Sequence, residues 1–208
     1  MIISYFGKQF FKITLGDLTI ALDPFGKDSK EKGPRFGADV AISSINHPDM
    51  NGTDQVFFGD KKPYVISGPG EYEIKDVFIK GFLSKSYYGG EETQNTIYVI
   101  KLEDINVLFL GAFGETDLPP LLKEELEDVD ILFIPIGSNG VLKHADASKL
   151  ATKLEPKVII PMAHTPLELK NFLKEEGEED TKSVEKLVIK RKDLLEKSSD
   201  IIVIEASS

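Results

Sequence analysis

The chain has 208 residues, no cysteine and a formal net charge of −10, so disulfides, thiolate nucleophiles and Cys-type zinc sites are excluded, as is the basic footprint that nucleic-acid binding needs. With 41% hydrophobic and 29% charged residues it reads as a globular protein rather than a disordered one, and a single domain over residues 1–208 suits that length. No apolar run approaches the roughly 18 residues that span a bilayer. The start, Met-Ile-Ile-Ser-Tyr-Phe-Gly-Lys, lacks the basic region and cleavage site of a secretion signal, so no membrane partner and a cytoplasmic location are expected.

Residues 2–6 and 10–15 read as strands separated by Gly7-Lys8-Gln9, and 18–22 as a third that ends in Asp23-Pro24-Phe25. Asp23 has two readings, a carboxylate accepting backbone N–H groups in the turn Pro24 fixes, or an acceptor beside a metal loop. Residues 26–37 are polar and turn-rich, a loop over one rim, and Arg35 within it is a candidate to bind an anionic substrate group. Val40-Ala41-Ile42 is a buried strand that breaks abruptly into Ser43-Ser44-Ile45-Asn46-His47-Pro48-Asp49-Met50-Asn51-Gly52. A loop leaving the carboxyl end of a buried strand is where ligand sites usually sit, because the sheet aims its side chains.

Strand 64–66 leads into Ser67-Gly68-Pro69-Gly70-Glu71-Tyr72-Glu73-Ile74, where Gly68 and Gly70 are expected to take positive φ in a tight turn around Pro69. Residues 77–82 continue as a strand, 89–94 as a polar loop, and 95–102 and 106–110 as strands, the last ending in Gly111-Ala112-Phe113-Gly114-Glu115. A helix over 117–126, a buried strand over 129–136 and a helix over 144–154 follow. A strand over 157–161 ends in Met162-Ala163-His164-Thr165-Pro166. A helix over 167–175, an acidic linker and strands over 184–190 and 201–205 close the chain.

Asp23-Pro24-Phe25, Asn46-His47-Pro48-Asp49, Gly68-Pro69-Gly70-Glu71-Tyr72-Glu73 and Ile160-Pro161-Met162 occur in an order that resembles the metallo-β-lactamase superfamily, in particular its branch of L-ascorbate-6-phosphate lactonase-like hydrolases. The resemblance implies an α/β fold, a four-layer αβ/βα sandwich of two mixed sheets flanked by helices; strand and loop spacing alone gives only a two-sheet α/β protein. In that superfamily a His-x-His-x-Asp-His loop holds one or two metal ions. Laid over this chain, the second His and the Asp fall on His47 and Asp49, while the other two positions fall on Ile45 and Met50. The remaining ligand positions fall on or near Ser86, on Ala112 and on Ala163, with His164 one residue later. Hydrocarbon and hydroxyl groups are not substitutes for imidazole and carboxylate around zinc.

Two function classes follow. One is a divergent member that has lost the dinuclear zinc site and the hydrolase activity, needs no cofactor, and keeps a cleft for binding or interaction, a small-molecule ligand among the candidates. The other is a hydrolase of a small phosphorylated or lactone-like substrate, in which His47, Asp49, His164 and His144 hold a single zinc or other divalent ion and Asp49 is the catalytic residue. Replacement at five ligand positions favours the first, because coordination is strict about ligand count.

Overall fold

In the computed structural model, which describes residues 1–60 and 62–207, short apolar runs of period two build two mixed sheets. The first has the order β12-β1-β2-β3-β4-β5, from β1 (Ile2–Tyr5), β2 (Phe11–Leu15), β3 (Leu18–Leu22), β4 (Val40–Ile42), β5 (Tyr64–Ile66) and β12 (Leu187–Val188). The second has the order β13-β11-β10-β9-β8-β7-β6, from β6 (Gly70–Ile74), β7 (Val77–Ser86), β8 (Thr93–Leu102), β9 (Ile105–Phe109), β10 (Ile131–Pro135), β11 (Val158–Met162) and β13 (Asp200–Ile201). Its β9, β10, β11 and β13 run parallel, and β6 to β9 form an antiparallel meander.

Alternation within single strands explains the layers. Ile131 and Phe133 face the first sheet and pack with Phe11, Ile13, Ile20 and Val40, whereas Leu132 and Ile134 face the other way. That second face is covered by α1 (Pro120–Glu125), α2 (His144–Leu154) and α3 (Pro166–Glu176), through Leu122, Leu150, Phe172 and their neighbours. Strands buried on both faces read as continuous apolar runs, which is why β10 stands out in the sequence. The outer face of the first sheet, with Ala21 and Ala41, is covered by Phe25, Phe36 and Val56 from loops.

The expected two-sheet sandwich is present, and the differences are local. The helix expected over 117–126 starts only at Pro120, because the residue before a proline is pushed out of helical backbone. The strand expected over 184–190 is regular only at β12 and gives way to a short helix, α4 (Arg191–Leu194), and that over 201–205 only at β13, while a single parallel bridge joins Val184 to Ile204. The Gly-Pro-Gly piece enters β6 directly, and of its two glycines only Gly70 takes a positive φ, of 151°. Among the described residues no helix is long and apolar enough to cross a membrane.

The carboxyl ends of β4, β7, β9 and β11 and the β1–β2 turn carrying Lys8 supply the side chains that meet at one rim. The backbone N–H of Ala163 donates to the carbonyl of Lys8 at 2.7 Å, and that of Thr96 to the carbonyl of Ser44 at 2.9 Å, so the two sheets are tied together there by backbone.

Candidate functional site

At the centre of the 43–52 loop the Asp49 side chain is only 11% exposed. It accepts three side-chain hydrogen bonds: from Lys8 Nζ at 2.5 Å and Tyr88 Oη at 2.8 Å, both to Oδ2, and from Ser29 Oγ at 2.6 Å to Oδ1. Burial pushes the Asp49 carboxyl up, but those bonds outweigh it and hold the group below its ordinary range. Burial likewise works against the Lys8 ammonium, and the bond to Asp49 reverses the sign and raises it. Tyr88, half-buried beside the carboxylate, is pushed up by burial and by Asp49, so it stays a phenol that donates. At neutral pH the trio is therefore an ion pair with a neutral donor.

His47 lies against this group. Its Nδ1 accepts the backbone N–H of Asp49 at 3.1 Å, so that nitrogen carries no proton in this arrangement, and its ring meets that of Tyr88 edge-on at 4.9 Å. The loop is held from its other side by Asp23, which is fully buried with φ of 44° and accepts from the backbone N–H and the Oγ of Ser44, both at 2.6 Å. Burial pushes the Asp23 carboxyl up to about 8, against the opposing effect of the Ser44 bonds. Asp23 thus pins the start of the 43–52 loop, its carboxylate accepting from Ser44 instead of from the N–H groups of the turn that Pro24 fixes. Gly52 closes the far end, where a Cβ would lie 2.0 Å from the carbonyl oxygen of Phe25.

Four of the positions at which the resemblance expects metal ligands come together as apolar side chains. Ile45, Met50 and Ala112 form one buried cluster with Val141, and Ala163 and Tyr88 pack against it. Ser86, also fully buried, accepts the backbone N–H of Tyr88 at 3.1 Å. Ala163 keeps its place in the cluster by adopting φ of 55°.

The other sequence candidates have separate surroundings. His144 Nδ1 pairs with Glu175 of α3 at 3.0 Å. His164 is half-buried, its Nδ1 has no partner among the described residues, and burial pushes its imidazole down toward the neutral form. Arg35 is exposed on the wall of a cavity of ≈ 350 Å³ that it shares with Phe10, Phe25 and Lys32. Only His47 and Asp49 of the candidate ligands are adjacent, and among the described residues no three His, Asp, Glu or Cys side chains form a group able to hold a metal ion.

Sequence reasoning missed Lys8, Ser29 and Tyr88. They lie 41, 20 and 39 residues from Asp49 in the chain. One local signal was present for Lys8: it is the charged residue of the Gly7-Lys8-Gln9 turn between two strands.

Residues 2–163 match the family model described as "Beta-lactamase superfamily domain". A protein of Listeria monocytogenes described as a UPF0173 metal-dependent hydrolase is 26% identical over 200 residues, covering 81% of this chain and 87% of its own length. A UPF0173 protein of Pyrococcus abyssi is 24% identical over 180 residues, covering 78% of this chain and 82% of its own. Among solved structures, a Thermotoga maritima protein of the metallo-β-lactamase superfamily superimposes with a TM-score of 0.73 at 28% identity, with 98% of this chain and 97% of that one covered. A metallo hydrolase of the archaeon Ignicoccus hospitalis shares the fold with a TM-score of 0.64 at 17% identity, covering 100% of this chain and 96% of its own.

Proposed function

The chain belongs to the β-lactamase superfamily, and from that membership we propose that it is a divergent member working as a small-molecule binding protein, without the dinuclear zinc site and hydrolase chemistry of a metal-dependent relative. The carrying observation is the Lys8 ammonium 2.5 Å from Asp49 Oδ2, where it supplies the positive charge that the carboxylate needs. A divalent ion on Asp49 has to displace a bonded ammonium and tolerate its charge at short range. His47 has already committed Nδ1 to the loop backbone. Ile45 and Ala112 offer no donor to a second ion and Met50 only a weak thioether in place of imidazole, so the residues present do not fit a zinc pair.

A second reading, a mononuclear metal-dependent hydrolase at His47 and Asp49, draws its support from the relatives' description as metal-dependent hydrolases. Elemental analysis separates the two. Protein purified without chelator, then dialysed against zinc or manganese and desalted, is expected to carry far less than one equivalent of metal. One equivalent that disappears in the His47→Ala variant overturns the binding-protein reading.

A further inference from the structure

Beside the 43–52 loop, and on the side of Ser44 rather than of Lys8, a cleft of ≈ 760 Å³ opens between the carboxyl ends of β4 and β5 and the start of β8. Its size falls within the roughly 300–1,000 Å³ of small-molecule sites. Its wall carries the hydroxyl and amide groups of Asn51, Thr53, Ser67, Thr93 and Gln94 over a floor of Ser44 and Thr96. The side chains of Ser67, Thr93 and Gln94 make no hydrogen bond among the described residues and stand ready for a ligand. The floor is rigid, because Asp23 fixes Ser44 and the backbone N–H of Thr96 donates to the Ser44 carbonyl at 2.9 Å.

The charge pattern narrows the ligand. Among the described lining residues there is no Lys, Arg or His, and the one charged group, Glu92, is engaged by Lys85 Nζ at 3.0 Å and Tyr87 Oη at 3.2 Å. An anion entering the cleft gives up water for no cation, and a free cation finds a carboxylate already paired. An apolar molecule leaves the hydroxyl and amide groups unsatisfied. We infer that this cleft binds an uncharged, hydroxyl-rich small molecule, a simple sugar or polyol. That ligand class deepens the binding role proposed above and rests on it.

The test is amide chemical-shift mapping of the full chain in EDTA, with glucose, maltotriose and myo-inositol as neutral probes and glucose 6-phosphate as the charged one. Shifts at Ser44, Gly68, Gln94 and Thr96 are expected from at least one neutral probe at millimolar concentration. Glucose 6-phosphate is expected to bind about tenfold more weakly than glucose, about 1.4 kcal/mol. Gly68 lines the cleft, and a Cβ there meets open space, so Gly68→Leu is expected to keep the fold and melting temperature while weakening the response at least about tenfold. The inference is overturned by silence of these amides to all three neutral probes, by preference for the phosphorylated sugar, or by an unchanged response in Gly68→Leu. Metal content, measured separately, reports on the metal-free reading alone, so the two fail independently.

Discussion

Replacing Lys8 with methionine is expected to lower the melting temperature by roughly 4–8 °C, the equivalent of about 2 kcal/mol for a chain of this size. Methionine, one atom shorter, keeps the unbranched apolar stem and removes the charge together with its hydrogen-bond donors. Asp49, 11% exposed, is then left with Ser29 and Tyr88 but no cation, and a buried carboxylate without its counter-ion costs about 3–5 kcal/mol when burial is complete. Lys8 is 30% exposed, so water reaches the vacated end and the loss falls below that range. Asp49→Asn in the same background removes the stranded charge, and the double variant is expected to melt above the Lys8→Met single. Additive losses in the double-mutant cycle contradict the pairing.

The pH dependence has a definite sign. Asp49 is held below its ordinary value, so its contribution is present above that ordinary value and is lost as pH falls through the depressed folded one. Lys8 is raised, so its contribution is full below its ordinary value and is lost as pH rises through the folded one. The pair is at full strength across the neutral range, and Lys8→Met is expected to flatten the acid limb of the stability profile.

Ala112→Asp is expected to destabilise more, by about 4 kcal/mol, and zinc is not expected to rescue it. The resemblance places one of the superfamily's metal-ligand positions on Ala112. Here Ala112 is fully buried against Ile45, Met50 and Val141, and a carboxyl among them gains no donor. Holding such a group about three pH units above its ordinary value at neutral pH corresponds to that penalty. For 208 residues it appears as a drop of roughly 8–16 °C. Recovery of the melting temperature on adding zinc contradicts the view that apolar side chains have replaced the donor set.

Much of the fold was legible because its signals are local. Period two in β2 and β3, the unbroken apolar run of β10, and the Thr165-Pro166 start of α3 with its Glu168 capping partner each lie within a few residues of sequence. The terminal strands were overextended because Leu187–Val188 and Asp200–Ile201 pair at sheet edges over two residues each, and β-branched composition does not report where pairing stops. At the site, Ile45, Met50, Ala112 and Ala163 were visible as replacements only through the ordered motifs around them. That they pack together, and that Lys8, Ser29 and Tyr88 converge on Asp49, depends on sheet packing that no local pattern encodes. The reading of Asp23 as a structural acceptor found its function but not its partner, which lies 21 residues away in Ser44.

The most direct measurement is anomalous scattering at the zinc edge from crystals grown with excess zinc. The Lys8–Asp49 account predicts no anomalous peak between His47 and Asp49, with the Lys8 ammonium still bonded to the carboxylate. A peak bonded to both His47 and Asp49, with Lys8 swung away into solvent, contradicts it.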